Sequence, residues 1–283
     1  MSKRSLLNSF LWLLLGFASA ASAQVDWLAR TPPNTPPQLS GAAMVYDESR
    51  GVVVLFGGLD DIGGPRSDTW EFDGETWRRR IPRTSSPPRR HLHAMAYDSQ
   101  RARVVLYGGL GAVNPYRDTW EWDGEDWVQR FPLTLPPPRY QHAMAYDPIG
   151  GQTLVFGGSN GSSNLRDTWA WNGSNWIPQT NAPRPLGRSS PGMVFDAARG
   201  EFLLFGGTAR NDTWAWDPSI ATWSQRFPAT SPPLGPHVLA YHAARGRVVL
   251  FDGVYAPSLP TTWEWDGTNW QPINTATSPS ANV

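Results

Sequence analysis

Short apolar runs alternate with turn-forming residues along most of the chain, and the same pattern returns at intervals of 51, 49, 49 and 46 residues. In each unit one apolar run ends in an aromatic residue followed by a glycine pair, which is altered in the last unit. The five ends are Phe56-Gly57-Gly58, Tyr107-Gly108-Gly109, Phe156-Gly157-Gly158, Phe205-Gly206-Gly207 and Phe251-Asp252-Gly253. Five copies of one pattern predict a protein built from structural repeats.

Each unit predicts four short strands. In the third unit we place them at residues 142–146, 152–156, 167–171 and 175–177. A turn at 147–151 joins the first pair, and Asn172-Gly173, a strong hairpin signal, joins the second pair. No stretch shows helical periodicity with capping residues, so the pattern predicts an all-β fold.

Tryptophan fills two positions of the repeat, one in the third predicted strand and one in the fourth. Residues two apart on a strand point to one face, so these rings should pack between neighbouring units. Burial of one large aromatic side chain contributes roughly 2–3 kcal/mol. The positions are Trp70, Trp77, Trp120, Trp127, Trp169, Trp176, Trp214, Trp223, Trp263 and Trp270.

A four-stranded unit of about 50 residues is typical of a β-propeller blade. The glycine pair, the aromatic residue of the third strand and the tryptophan of the fourth strand resemble the kelch repeat family, of which the central domain of galactose oxidase is a distant relative. The resemblance implies an all-β, kelch-type β-propeller, for which we predict five blades of four antiparallel strands. Kelch propellers include both enzymes and binding modules, so the resemblance alone does not assign a function.

We predict a single propeller domain at 24–275, with an additional N-terminal strand at 25–30 and a disordered tail at 276–283. Either terminus could complete the ring. The predicted blades span residues 38–80, 88–130, 138–180, 187–227 and 235–273.

The first 23 residues resemble a secretory signal peptide. Lys3 and Arg4 precede an apolar run at 10–17, and the small residues at 21–23 predict cleavage before Gln24. An uncleaved membrane anchor is the alternative, but the run is shorter than the roughly 20 residues that span a bilayer. We therefore expect a secreted or periplasmic protein with no membrane attachment after cleavage.

The charge and cysteine counts exclude several chemistries. The 24 basic and 24 acidic residues cancel, which argues against a broad nucleic-acid-binding surface. The chain has no cysteine, so disulfides and thiol nucleophiles are excluded, as is the Cys–Tyr radical cofactor of galactose oxidase. We predict no cofactor, no bound metal and a monomeric protein.

Two columns of residues precede the first strand, where the chain enters the innermost strand of each predicted blade. Strand parity places these columns and the long, variable loops on one face, at the mouth of the central channel. In kelch domains that bind peptides or sugars, residues at this entrance often contact the ligand. The candidate ligand-binding residues are Arg90, Arg139, Arg188, His93, His142 and His237.

Both columns also allow a structural interpretation. Each arginine could satisfy loop carbonyls or pair with an aspartate such as Asp118 or Asp167, and each histidine could hydrogen-bond a loop. The arginine column is broken by Leu39 and Leu234 in the first and last units. Regular spacing around a ring makes the histidines a poor compact ligand set for a metal.

We predict a secreted, non-catalytic recognition module that binds a protein or glycan at the channel mouth, because no nucleophile–base pairing is apparent. The alternative is a secreted carbohydrate-active enzyme resembling sialic-acid epimerases, with Glu48, Asp60, Asp61 or the histidine column as candidate general bases. A purely architectural surface protein is a third interpretation. We assign no catalytic residue.

Overall fold

The structure is a computed structural model, and it describes residues 27–252 and 262–275. The first blade contains β1 (Ala43–Asp47), β2 (Val52–Phe56), β3 (Thr69–Phe72) and β4 (Trp77–Arg80). The second contains β5 (Ala94–Asp98), β6 (Arg103–Tyr107), β7 (Thr119–Trp122) and β8 (Trp127–Arg130). The third contains β9 (Ala143–Asp147), β10 (Gln152–Phe156), β11 (Thr168–Trp171) and β12 (Trp176–Gln179). The fourth contains β13 (Gly192–Asp196), β14 (Glu201–Phe205), β15 (Thr213–Asp217) and β16 (Thr222–Arg226). The fifth contains β17 (His237–His242), β18 (Arg247–Asp252), β19 (Thr262–Trp265) and β20 (Trp270–Ile273).

Each blade is an antiparallel sheet whose strands pair in chain order. The first strands lie innermost, with β5 packed against β1 and β9, and β13 packed against β9 and β17. The molecule is therefore a five-bladed β-propeller, which confirms the predicted all-β architecture. Its described residues contain a single short 3-10 turn, Ala243–Arg245.

Three predicted segments lie wholly or partly outside the described residues. The signal peptide at 1–23 and the tail at 276–283 are outside them. So are the first two residues of the predicted strand at 25–30, and the rest of that segment is described without strand pairing.

Tryptophans of the fourth strands hold adjacent blades together. The indole N–H of Trp127 donates to the hydroxyl of Thr69 in the preceding blade at 2.9 Å, and its ring lies 5.1 Å from that of Phe56. Three more junctions repeat this hydrogen bond at the same distance. The pairs are Trp176 with Thr119, Trp223 with Thr168 and Trp270 with Thr213. Each blade thus presents a threonine and an aromatic ring as a seat for the tryptophan of the next.

The long loops and the links between blades lie on one face, which we call the loop face. Short bridges join the link before a first strand to the loop after the second strand of the same blade, pairing Ser40 with Leu59 and Tyr140 with Ser159. The first glycine of the pair lets the backbone pass close to the link that leads into the next blade. A Cβ on Gly57, whose φ is +67°, would lie 2.5 Å from the carbonyl oxygen of Arg90. The tight turns after the first and third strands form the opposite turn face.

Candidate functional site

A belt of backbone hydrogen bonds joins the first four blades on the loop face. Leu92 N–H donates to the Gly41 carbonyl at 2.7 Å, Gln141 to Leu92 at 2.8 Å, and Ser190 to Gln141 at 2.8 Å. Leu92, Gln141 and Ser190 adopt left-handed φ values of 54–55° to do so. The equivalent residue of the fifth blade is Pro236, which has no N–H to donate. The belt therefore ends at Ser190.

The predicted arginine column forms clamps within the blades. Arg90 donates two hydrogen bonds of 2.6 Å to the carboxylate of Asp118, and it also donates to the carbonyls of Gly108 at 2.8 Å and Pro88 at 3.0 Å. Arg139 and Arg188 repeat the arrangement in the next two blades, with Asp167 and Asp212 as their carboxylate partners. All three arginines are 0% exposed.

Two of the clamps lower the pKa of their carboxylates, those of Asp167 and Asp212. Burial opposes ionisation of Asp167, but hydrogen bonds from Arg139 and Trp169 hold its pKa below the ordinary value. The pKa of Asp212 is lowered in the same way. Because the guanidinium groups are inaccessible to solvent and already paired, the geometry favours the structural interpretation of the arginine column. Ligand contact by Arg90, Arg139 and Arg188 stays a prediction without an exposed atom to support it.

The histidine column divides into two kinds of residue. His93 and His142 are buried edge-on against Phe56 and Tyr107 of the preceding blades, with ring centroids 5.5 and 5.7 Å apart. Burial, with a smaller contribution from Arg139, lowers the pKa of His142 to about 3. Burial also lowers the pKa of His93 well below its ordinary value. Both rings are therefore neutral at physiological pH.

His237 lies at the loop face and is only partly buried. Its Nε2 lies 3.1 Å from both the Gly192 N–H and the Phe205 carbonyl oxygen, and its Nδ1 lies 3.0 Å from the Gly235 carbonyl oxygen. His237, one of the six residues predicted to contact a ligand, borders an open cavity. In the part of the chain that the structure describes, no three His, Asp or Glu side chains converge as metal ligands.

The cavity opens because the fourth blade has a short loop. Seven residues, 206–212, separate β14 from β15, whereas twelve, eleven and eleven residues separate the corresponding strands of the first three blades. The longer loops fold back on themselves, for example through the bridge between Ser159 and Asn164. The short loop is instead attached by the Thr208 N–H, which donates to the Ser189 carbonyl at 2.9 Å.

The fifth blade widens the same cavity through its own departures from the repeat. Leu234 stands where the clamp arginine would be, and Thr261 stands in the sequence where the clamp aspartate would be. Pro236 interrupts the belt. The resulting cleft has a volume of about 340 Å³, within the size range of small-molecule sites. Its lining residues are Ser189, Ser190, Gly207, Thr208, Ala209, Leu234, Gly235, Pro236 and His237.

The polar side chains of the cleft, apart from His237, carry hydroxyl groups. Ser189 Oγ and Thr208 Oγ1 are 2.6 Å apart, and Thr208 Oγ1 also donates to the Ser189 carbonyl at 3.1 Å. Leu234, which is 55% exposed, supplies an apolar surface beside them. None of the described residues that line this cleft is Asp, Glu, Arg or Lys. A neutral ligand rich in hydroxyl groups matches this chemistry better than an acidic one.

The candidate general bases lie elsewhere. Glu48 is in the turn between β1 and β2, on the turn face, whereas Asp60 and Asp61 are in the loop after β2. The Asp60 carboxylate accepts hydrogen bonds from the backbone N–H groups of Ile62 at 3.2 Å and Gly64 at 2.7 Å, so it shapes its own loop. None of the three lines the cleft.

Sequence reasoning missed the serines and the threonine of the cleft. The signal was present as departures from the repeat: the interval of 46 residues, Leu234 in the arginine column and Pro236 in the belt position. Each departure removes a contact, and their coincidence at one junction becomes evident only once the blades are assembled.

Comparison with protein-family models finds no match for this chain, and comparison with curated proteins finds none either. The fold and the cleft are thus the basis for a functional proposal. Among the described residues, no helix has the length and apolar character needed to cross a membrane.

Proposed function

We propose that this protein is a non-catalytic recognition module that binds a neutral, hydroxyl-rich glycan in the cleft between the fourth and fifth blades. The observation that carries the proposal is the joint loss of the arginine clamp, the backbone belt and the long loop at this junction. Recognition surfaces commonly form where a rigid scaffold carries variable loops.

The chemistry of the cleft supports a sugar ligand. Ser189, Ser190 and Thr208 offer donors and acceptors to sugar hydroxyls. Leu234 and Pro236 offer apolar surface to the C–H face of a sugar ring. Because none of the described residues that line the cleft is Asp, Glu, Arg or Lys, an acidic ligand would be desolvated there without an ionic partner.

We further infer a kelch-type propeller that acts outside the cytoplasm. The glycine pairs and the two tryptophan positions support the kelch assignment. The basic start, apolar run and small-residue site within the first 23 residues support export.

The proposal is tested by calorimetric titration with neutral oligosaccharides such as cellopentaose and maltopentaose, and with oligogalacturonate as an acidic comparison. We expect a neutral sugar to bind and Leu234→Trp, which fills the cleft, to weaken binding at least tenfold. Thr208→Val, which removes one hydroxyl at nearly constant shape, should weaken it several-fold.

The matched control is Leu186→Trp, because Leu186 is also 55% exposed but lies outside the cleft. This variant should bind the sugar as the parent does. Equal binding by the parent and Leu234→Trp, or binding of oligogalacturonate alone, would overturn the proposal.

A further inference from the structure

The junction between the fifth and first blades differs from the other four. Tyr46 on the innermost strand of the first blade is 56% exposed. Its counterparts Tyr97, Tyr146 and Phe195 are 8%, 9% and 6% exposed, because each packs against the blade before it. The first blade therefore lacks such a neighbour for this side chain.

The fifth blade shows the complementary exposure. Leu239 packs towards the fourth blade, so Val238 and Ala240, which alternate with it along β17, point away from that blade. Val238 is 46% exposed, and Ala240 is exposed as well. We call the two facing surfaces, with Tyr46 on one side and Val238 and Ala240 on the other, the seam.

Trp27 occupies the outer part of the seam. Its indole N–H donates to the Thr262 hydroxyl at 2.9 Å, and its ring lies 5.4 Å from that of Phe251 at an interplanar angle of 65°. The fourth-strand Trp270 makes the same contacts with the fourth blade, at 2.9 Å from Thr213 and with 64° between the rings. Trp27 thus lies where the fourth-strand tryptophan of a blade following the fifth would lie.

The first blade already has its own fourth-strand tryptophan, Trp77. This residue is buried, but no hydrogen bond joins its indole N–H to a threonine among the described residues, unlike its four counterparts. Two fourth-strand tryptophans therefore flank one seam, Trp27 on the fifth blade and Trp77 on the first. Trp27 packs on the fifth blade, whereas Trp77 has no preceding blade with a threonine to accept its indole N–H.

Glu264 supplies a second, independent indication that a neighbouring sheet is missing at the seam. Its counterparts Glu71 and Glu121 accept hydrogen bonds from Trp122 at 3.1 Å and Trp171 at 3.2 Å in the third strand of the next blade. Glu264 is buried, and its Oε2 accepts a hydrogen bond from the Arg245 guanidinium at 3.0 Å. Its Oε1 has no hydrogen-bond partner in the described part of the chain.

The first blade cannot supply the missing donor. The residue equivalent to Trp122 is Phe72, which has no N–H group. A buried carboxylate oxygen without a donor is costly, so Glu264 Oε1 points to a hydrogen-bond donor that is brought by an occupant of the seam.

We propose that the seam is a docking site for a three-stranded antiparallel β-sheet from a partner polypeptide, with Trp27 providing the fourth-strand position. The third strand of the partner carries the pattern Thr-x-x-Trp. Its threonine accepts the Trp77 indole N–H, and its tryptophan donates to Glu264 Oε1. Its first strand lies between β17 and β1 and covers Tyr46 and Val238.

The experiment supplies such a sheet to the full chain. A copy of residues 138–171, the first three strands of the third unit, is appended after Val283; it ends in Thr168-Trp169-Ala170-Trp171. We expect the melting temperature to rise by roughly 5 °C or more. Nitration of Tyr46 by tetranitromethane, mapped by mass spectrometry, should slow at least tenfold.

The matched control is the same tail with Thr168→Ala and Trp171→Ala in the appended copy, which should lose most of both effects. A second tail, copied from residues 87–122, guards against a copy that fails to fold. Unchanged melting and nitration with both intact tails would overturn the proposal. So would a parent chain that dimerises in light-scattering measurements with Tyr46 protected, because the seam would then belong to a second copy.

Discussion

The four junctions between consecutive blades and the seam between the fifth and first blades use the same repeat in different ways. At the consecutive junctions the innermost strands pack together and a fourth-strand tryptophan is seated on the previous blade. At the seam Trp27 fills the outer seat while Tyr46 stays exposed on the inner strand. The contact of a fourth-strand tryptophan with the neighbouring blade can therefore form without packing of the innermost strands.

The consecutive junctions are themselves unequal. The belt joins blades one to four and stops at Ser190, and the clamps stop at Arg188. The cleft lies where both stop. Blades two and three, which have a clamp, a belt bond and a long loop, form the most regular part of the molecule. The fifth blade keeps its tryptophan seat but loses the other contacts, which leaves room for a ligand.

The largest expected effect comes from converting a clamp into its counterpart in the fifth blade. Arg139→Leu leaves Asp167 without its partner beside the buried link and should cost about 3 kcal/mol of unfolding free energy. The double variant Arg139→Leu, Asp167→Thr copies the Leu234 and Thr261 pair and should recover at least about 1 kcal/mol. Urea unfolding measures both. A double variant no more stable than the single one would show that the carboxylate is not the source of the loss.

The next effect compares a consecutive junction with the seam. Trp127→Phe removes a buried N–H donor and leaves Thr69 unsatisfied, which should cost about 2 kcal/mol. Trp27→Phe removes the same bond from a partly buried ring and should cost about half as much. Thermal and urea unfolding of the two variants provide the test. Equal losses would contradict the difference between the seam and the other junctions.

The strand pattern could be predicted because each unit repeats alternating apolar positions, Asx-Gly turns and paired tryptophans. The five units reinforced one another, and the ends of β9 to β12 lie within two residues of their predicted positions. The roles of Arg90 and His93 were not accessible, because ligand binding and structural pairing require the same residue types. Only the burial of these side chains separates the two interpretations.

The cleft and the seam were hidden from the sequence for a different reason. The cleft arises from missing groups, since Pro236 lacks an N–H and Leu234 lacks a guanidinium. The surplus N-terminal strand was noticed in the sequence, but its contact with Thr262 spans 235 residues and depends on the curvature of the whole ring. Local patterns do not encode such closure geometry.

The smallest expected effect concerns pH and the histidines buried between consecutive blades; the first blade has Ala42 in that column and no titratable group there. The pKa of His142 falls from 6.5 to about 3 on folding, so the unfolded chain takes up a proton below pH 6.5 that the folded chain excludes. Stability is therefore complete above pH 6.5 and decreases as the pH falls towards 3. One such histidine should cost about 1 kcal/mol between pH 7.5 and 5.5.

The variant His142→Gln removes this proton uptake, so its urea-unfolding free energy should decline less than that of the parent over the same pH range. Its stability at pH 7.5 is the reference, which separates the pH slope from any packing loss caused by the substitution. His93 remains in the variant, and burial lowers its pKa too, so part of the slope should persist. Identical slopes in parent and variant would mean that His142 accepts a proton without unfolding. The His142 ring would then be reached by solvent in the folded protein. The contrast between the buried consecutive junctions and the exposed seam at Tyr46 would be weaker than the structure indicates.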